Sequence, residues 1–158
     1  GECNMKRISW RSGLSEVVSF IIIVPCIVML IMAILSAYLI STTNQQLLYT
    51  AYSVGRAAVV CETRDLAENR ADAIMEELYG GNFRSGSGAL NDGEASYYME
   101  LVGTDQWTKG SLLRCTVSQH ITPAIPFMAK TYSKTLVMMI ENGTEIMIHP
   151  DEVPDPLA

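Results

Sequence analysis

The chain has 158 residues and a formal net charge of −6, enough for one modest domain with an acidic surface. This balance argues against nucleic acid as a partner, because proteins that bind nucleic acid carry clustered basic residues. The hydrophobic residues are concentrated in the first third of the chain, which indicates an apolar segment joined to a more polar domain.

A long apolar segment follows a short basic leader. The segment from residue 17 to residue 40 contains 24 residues and no charged side chain. A helix of that length would be about 36 Å long, sufficient to cross a hydrocarbon core of about 30 Å. A cleaved secretory signal fits less well, because its apolar core has only about 7–15 residues. The pattern therefore predicts a membrane-spanning helix.

The charges on the two sides of this segment predict its orientation. Lys6, Arg7 and Arg11 precede it, whereas eight basic and fifteen acidic residues follow it. Basic residues favour the cytoplasmic side, so we expect a cytoplasmic N-terminus and an extracellular C-terminal part. The predicted organisation is a leader at 1–13, a transmembrane helix at 14–40, an extracellular domain at 41–149 and a disordered tail at 150–158.

Two residues in this segment attract attention. Pro25 lacks the N–H that would bond the carbonyl of Ile21, so a kink or a loosened turn is expected there, either incidental or functional. Glu16 lies at the edge of the apolar run, where a carboxylate is costly unless it is solvated or paired. It is either an interfacial carboxylate stabilised by the helix N-terminus or a group that pairs with a cation on a neighbouring subunit.

Helical periodicity continues beyond the apolar run. Leu48, Tyr52, Gly55 and Val59 share one helical stripe, which predicts that the first helix extends to about Val60 and packs on its own domain or on a partner. A second helix is predicted from about Thr63, with an entry signal at Asp65 and Glu68, a face of small and apolar residues, and a stop at two glycines. The face consists of Ala67, Ala71, Ile74 and Leu78, and the glycines are Gly80 and Gly81. The glycine-rich stretch that follows is predicted to be a flexible loop.

From Ser96 the hydrophobic period changes to two, which is typical of half-buried antiparallel strands. One strand alternates around Tyr97 and Met99, and the next around Leu113 and Cys115. Pro123 and Pro126 interrupt the sheet. Residues 135–140 and 145–149 flank Asn142 and Gly143, a strong signal for a two-residue hairpin, which also explains the Asn-Gly-Thr sequon without glycosylation. The fold class is α+β, with two helices and a three- or four-stranded antiparallel sheet.

The four cysteines divide between compartments in this topology. Cys3 is cytoplasmic and Cys26 lies in the bilayer, so Cys61 and Cys115 alone share the oxidising exterior. A disulfide between them would contribute about 4 kcal/mol in the chain-entropy model. The alternative is two buried free thiols.

No catalytic constellation is found. His120 alternates outward on a predicted strand and His149 precedes a proline, so both are interpreted as surface histidines. The glycine-rich loop matches no phosphate-binding motif. We therefore expect neither an enzyme nor a bound cofactor or metal.

The N-terminal residues resemble a known family. A basic leader, Gly13, Glu16 and a long apolar helix containing Val24 and Pro25 look like the class III signal of type IV pilin-like proteins, and more narrowly like TadE-like pseudopilins of tight-adherence pilus and secretion systems. The small-and-arginine stretch at 55–58 and the strand–proline–strand order of residues 112–141 are also similar. Two features depart from the family pattern. Glu16 is third after Gly13, whereas the family usually has its acidic residue fifth. The phenylalanine that directly follows the acidic residue in the family comes here only at Phe20.

The resemblance implies a structural role. A prepilin peptidase would cleave after Gly13, and the new N-terminal ammonium on Leu14 would pair with Glu16 of a neighbouring subunit. Partners would be the membrane, other pilin-like subunits through their N-terminal helices, and the assembly platform of a filament. The alternative is an uncleaved, single-pass accessory or binding protein with an extracellular head.

Overall fold

The computed structural model describes residues 5–144, with side chains from Gly13 onward. Cys3, His149, the predicted strand 145–149 and the tail 150–158 lie outside the described residues. Two helices and four strands follow one another, together with a one-turn 3₁₀ helix at Pro126–Met128. They are α1 (Met5–Val59), α2 (Arg64–Tyr79), β1 (Phe83–Ser85), β2 (Ala95–Val102), β3 (Leu112–Ile121) and β4 (Lys130–Met139). The predicted α+β class and the second helix are confirmed.

Helix α1 is a single element of 55 residues that ends one residue before its predicted limit. It continues through Pro25 and across the predicted boundaries at 13/14 and 40/41, so the backbone does not mark those boundaries. The helix has two parts that differ in burial. The side chains of residues 13–35 are all exposed, whereas from Ser36 onward one face is covered by the rest of the domain.

The buried face of α1 matches the predicted stripe only in part, since Gly55 and Val59 are buried as predicted. Leu48 and Tyr52 are about half exposed, while their neighbours Leu47 and Ala51 are fully buried. The buried face continues through Val54 and Ala58. Because both adjacent faces are apolar, periodicity alone could not choose between them. The face that carries alanines lets the helix lie close against its neighbours, which a tyrosine would prevent.

Helix α2 has the expected ends. The Thr63 side chain caps it by accepting a hydrogen bond from the Leu66 N–H at 3.4 Å. Gly80 ends it in the left-handed conformation with φ of 61°, which glycine adopts without steric cost. Ala67, Ala71 and Met75 form its buried face, so the predicted face is confirmed for the two alanines.

The sheet has the order β1-β2-β3-β4 and is mixed, which corrects the prediction of a purely antiparallel sheet. Strand β1 pairs parallel to β2, with Phe83 opposite Ala95, and the other two pairings are antiparallel. Strand β1 lies within the stretch predicted to be a flexible loop. Its three residues are too few to show a period of two, and its pairing depends on β2 rather than on local sequence.

Both helices cover the same face of the sheet. Tyr97, Met99, Leu113, Cys115 and Val117 point into this layer and are buried, as their alternation predicts. The residues between them point to the opposite, exposed face of the sheet. The result is a two-layer head from which the exposed part of α1 projects.

Candidate functional site

The exposed part of α1 is the first candidate site. Leu14, Phe20 and Met29 have 60%, 68% and 74% of their surface accessible. Within the described residues, Gly13–Val59 is the one helix that is long and apolar enough to cross a membrane, and its most apolar window is entirely unburied. A continuous apolar surface of this size marks an interaction with lipid or with other proteins. By length and composition, α1 is a candidate membrane span.

The predicted processing and assembly residues all lie on this helix. Gly13, Leu14 and Glu16 fall within one helical turn, and a Cβ atom at Gly13 would have no neighbour within 4 Å. Glu16 is exposed, and none of the ion pairs among residues 13–144 includes it. Pro25 follows Glu16 by nine residues, about 14 Å along the axis. The structure brings the first three together and separates them from the head.

The predicted disulfide is not formed. Cys61 and Cys115 are both buried free thiols, the alternative that the sequence left open. The Cys61 thiol turns back to donate a hydrogen bond to the Ala57 carbonyl at 3.2 Å. Burial raises the pKa of Cys115 to about 12, which suppresses the thiolate that disulfide exchange requires. Both cysteines therefore act as small core residues.

A second candidate site is the junction between the end of α1 and the head. The last carbonyls of a helix have no partner within the helix, and here distant residues bind the carbonyl of Val59 and those of the three residues that follow the helix. The Glu141 N–H donates to the Val59 carbonyl at 2.9 Å, and the Asn142 side-chain amide donates to the Val60 carbonyl at 3.2 Å. This part of the junction fastens the segment after β4 to the helix end.

The next two carbonyls are bound in the same way. The buried Trp107 indole donates to the Cys61 carbonyl at 2.9 Å. The Thr144 N–H and hydroxyl both donate to the Glu62 carbonyl, at 3.1 and 2.9 Å. The exposed ion pair of Arg56 with Glu141, at 2.9 Å, lies beside them. The junction therefore ties four consecutive carbonyls, those of residues 59–62, to the domain.

The junction corrects the role predicted for Asn142 and Gly143. Neither has the positive φ that a two-residue hairpin of the Asn-Gly type needs at both positions. Gly143 is required for another reason, because a Cβ atom there would lie 2.6 Å from the Trp107 carbonyl oxygen and 2.6 Å from the Thr108 carbonyl carbon. Thr144 pairs with Thr108 in an isolated bridge. Glycine here allows two backbone segments to touch.

A partly buried hydrogen bond joins α2 to the sheet. The Tyr97 hydroxyl donates to an Asp72 carboxylate oxygen and lies 3.5 Å from the Glu68 carbonyl oxygen. Burial, followed by this hydrogen bond and the nearby acidic charges, raises the pKa of Tyr97 well above its usual 10.0. The tyrosine is therefore a fixed hydrogen-bond donor at neutral pH, and the contact holds α2 in register with β2.

A groove of about 630 Å³ lies where α1 meets β4. Ala37, Ile40, Ser41 and Leu48 line one wall, and Met128 and Lys134 line the other. Lys134 is the only charged group in its lining. The groove therefore lies between the C-terminal end of the apolar run and the part of the head where β4 begins.

The described residues include one histidine, His120. His120 lies on the outer face of β3, and its Nδ1 is 3.1 Å from the Thr131 hydroxyl oxygen. Among residues 5–144, no group of three or more His, Cys, Asp or Glu side chains is placed to hold a metal ion.

The junction residues were not predicted as functional. The available signal was weak: Trp107 is a single large aromatic residue in a loop between Gly103 and Gly110, and the Asn-Gly pair suggested a hairpin. Contacts between residues so far apart in the chain have no local pattern.

No protein-family model, curated protein or solved structure matches this chain. The class defined by the fold is a small α+β domain built on one long helix, with that helix a candidate membrane span.

Proposed function

We propose that the protein is a structural pilin-like subunit, of the TadE-like kind, in a tight-adherence pilus or a related secretion system. One observation carries this proposal: a single unbroken helix is wholly exposed over residues 13–35, with no charge after Glu16 in that part, and is a core element of a folded head at its other end. A simple anchor needs only the first property. A subunit that is moved as a unit by its helix needs both.

The junction supports the mechanical part of this role. The carbonyls of residues 59–62 are held by Glu141, Asn142, Trp107 and Thr144, so a force along α1 is transmitted to the loop before β3 and to the segment after β4. Each such bond contributes about 1 kcal/mol, and together they resist separation of the helix from the head.

The N-terminal half of α1 would be the assembly surface. In the membrane its side chains contact lipid, and in a filament they would contact the equivalent helices of other subunits, so they stay in an apolar environment throughout. Processing after Gly13 would place an ammonium group on Leu14, two residues before Glu16. In an apolar packing of helices, pairing between Glu16 of one subunit and the ammonium of the next would offset the cost of burying either charge.

The orientation belongs to the same proposal. The basic residues before the span place the N-terminus in the cytoplasm, and the acidic head faces outward. The peptidase that recognises Gly13 would then act at the cytoplasmic surface.

An uncleaved accessory or binding protein is the second candidate. It is favoured by the position of Glu16, third rather than fifth after Gly13. The open face of the sheet, which exposes Tyr98, Val137 and Met139, would then be available for a partner outside the cell.

N-terminal processing separates these two functions. The full chain would be expressed in membranes with and without a prepilin peptidase, and the N-terminus of the membrane product would be sequenced. We expect a mature chain that begins at Leu14 when the peptidase is present, and no cleavage in a Gly13→Val variant. Ser12→Ala is the control that leaves Gly13 in place. An intact N-terminus in the presence of an active peptidase would refute the pilin-like function and support the anchored accessory protein.

Incorporation into filaments tests the role of Glu16. Glu16→Ala should insert into membranes as the parent does but fail to enter filaments, because the neighbouring ammonium would lose its partner. Glu77→Ala, on the exposed side of α2, is the matched control. Equal incorporation of both variants would show that Glu16 is only an interfacial carboxylate.

A further inference from the structure

The loop between β3 and β4, residues 122–129, has an unusual surface. It contains two prolines, two alanines, Ile125, Phe127 and Met128, and it has no charged residue. Phe127 has 87% of its surface exposed, more than any other large hydrophobic side chain in the described part of the chain. Exposing this side chain to water is costly, because full burial of a phenylalanine is worth about 1.5–3 kcal/mol.

The loop lies beside the point where the apolar run of α1 ends. Met128 lines the same groove as Ala37, Ile40 and Ser41, and the charge-free apolar run ends at Ile40. If α1 crosses a bilayer, the loop lies at the outer surface of the hydrocarbon. From there β4 leads away alongside the helix, and Met138 reaches Gly55, fifteen residues or about 22 Å further along α1.

The backbone of the loop suits an apolar environment. Pro123 and Pro126 have no N–H to satisfy. The 3₁₀ turn satisfies two others, since the Met128 N–H donates to the Ile125 carbonyl at 3.1 Å and the Ala129 N–H donates to the Pro126 carbonyl at 3.0 Å. Unpaired backbone donors are the main obstacle to placing a loop near hydrocarbon. The two prolines and the two hydrogen bonds of the 3₁₀ turn reduce the number of such donors in this loop.

The charges next to the loop are both positive. Between residues 122 and 140 the only charged residues are Lys130 and Lys134. Lys130 Nζ lies 5.5 Å from the centre of the Tyr132 ring. A lysine with a tyrosine beside an apolar tip is the arrangement found at membrane surfaces, where the ammonium reaches phosphate groups and the ring occupies the headgroup layer.

We propose that residues 122–129 form a second membrane contact, in which Phe127 inserts into the outer leaflet of the bilayer that α1 crosses and Lys130 and Lys134 bind its phosphate groups. This inference rests on the membrane-anchored, outward-facing orientation of the proposed function. The head is then fixed to the membrane at two points, and its orientation around α1 is set. Removal of the subunit from the membrane requires this loop to leave the leaflet.

Depth-dependent quenching of tryptophan tests the contact. The full chain, in a Trp10→Phe background, would be reconstituted in phosphatidylcholine–phosphatidylglycerol vesicles whose acyl chains carry bromine. Three reporters would be compared with that background, in which the buried Trp107 remains: Phe127→Trp in the loop, Met29→Trp in the span, and Val137→Trp on the exposed face of β4. All three sites are exposed in the folded chain, so tryptophan can be placed there without repacking the core. Acrylamide would report exposure to water in parallel.

We expect bromine to quench Phe127→Trp roughly half as strongly as Met29→Trp, since an interfacial side chain reaches about 5–10 Å into the headgroup and acyl boundary. Val137→Trp should show no bromine quenching and full quenching by acrylamide. Quenching of Phe127→Trp by acrylamide alone would place the loop in water and overturn the inference. Protection from both quenchers would show that a protein surface, such as a second copy of α1, covers it, and would overturn the inference equally.

The reporter in the span separates this inference from the proposed function. If Met29→Trp is not quenched by bromine, α1 does not cross the bilayer, and both proposals fail. If Met29→Trp is quenched and Phe127→Trp is not, the membrane anchor stands and the second contact alone is refuted.

Discussion

Replacement of Gly143 by alanine is expected to loosen the junction between α1 and the head. The added Cβ atom would lie 2.6 Å from both the Trp107 carbonyl oxygen and the Thr108 carbonyl carbon, and 2.8 Å from the Lys109 nitrogen. All three atoms belong to the backbone, so no side-chain rotation can relieve the contact. The variant must either strain two backbone segments or withdraw the segment that binds the end of α1.

Both routes have a similar cost. Overpacking of this kind destabilises a folded domain by about 1–3 kcal/mol. Withdrawal would instead break the four bonds that Glu141, Asn142 and Thr144 make to the carbonyls of Val59, Val60 and Glu62, a loss of up to about 4 kcal/mol at about 1 kcal/mol each. We therefore expect Gly143→Ala to lower the free energy of unfolding by about 2–3 kcal/mol.

Urea unfolding of the full chain in detergent micelles measures this loss. Trp107 is buried at the junction, so its fluorescence reports the affected region, and Trp10→Phe removes the other tryptophan signal. With an m-value of about 1.5 kcal/mol/M, the midpoint should fall by about 1.3–2 M.

Gly88→Ala is the matched control for this experiment. Its φ is not positive, and its Cβ atom would meet only the flexible guanidinium of Arg84. We expect a change within about 0.5 kcal/mol, as for most surface substitutions. If Gly143→Ala also stays within that range, the close backbone approach is not required and the described junction is wrong.

Three further predictions concern the core. Because Cys61 and Cys115 are free thiols, the chain should migrate identically with and without reductant, and both thiols should react with a maleimide only after unfolding; a mobility shift that Cys61→Ser abolishes would contradict this. Burial raises the pKa of Cys115 from 9.0 to about 12, so its stabilising contribution is complete below pH 9.0 and is lost as the pH rises toward 12. Over that range the unfolded thiol releases a proton that the folded thiol keeps. The free energy of unfolding should therefore fall by about 1.4 kcal/mol per pH unit. Urea titrations between about pH 9 and 10 measure this slope, which Cys115→Ala should lack. Tyr97→Phe removes the hydrogen bond to Asp72 and should cost about 1–2 kcal/mol in the same assay, with Tyr98→Phe on the open face of the sheet as a control that stays near zero.

Much of the fold was predictable because its signals are local. The apolar run, the end of α1 near Val59, the stop of α2 at Gly80 and the inward alternation of β2 and β3 all depend on residues a few positions apart. In each case one side-chain or backbone property determines the local structure. The run of uncharged residues determines the candidate span, and the tolerance of glycine for positive φ determines the end of α2.

Other features depended on which segments meet. Leu47 and Ala51, rather than Leu48 and Tyr52, face the head because Ala51 allows a closer approach than Tyr52 would. Only the opposing layer could select between these two apolar faces. Strand β1 exists because β2 pairs with it. The two thiols stay free in one core because the Cys61 thiol donates to the Ala57 carbonyl and burial raises the pKa of Cys115. These outcomes depend on three-dimensional neighbours that no sequence window contains.

The sequence by itself determined that a long helix with a charge-free apolar run leads into a small α+β head, because hydrophobic period and chain length act locally. Only the tertiary structure decided how that helix is joined to the head. The carbonyl of Val59, the last residue of α1, and those of the three residues after it meet donors that lie 46–82 residues away in the chain, and Gly143 is needed because two distant backbone segments touch there. It also decided that the exposed Phe127 loop lies beside the end of the apolar run, since the direction of β4 along α1 is a property of the packed layers.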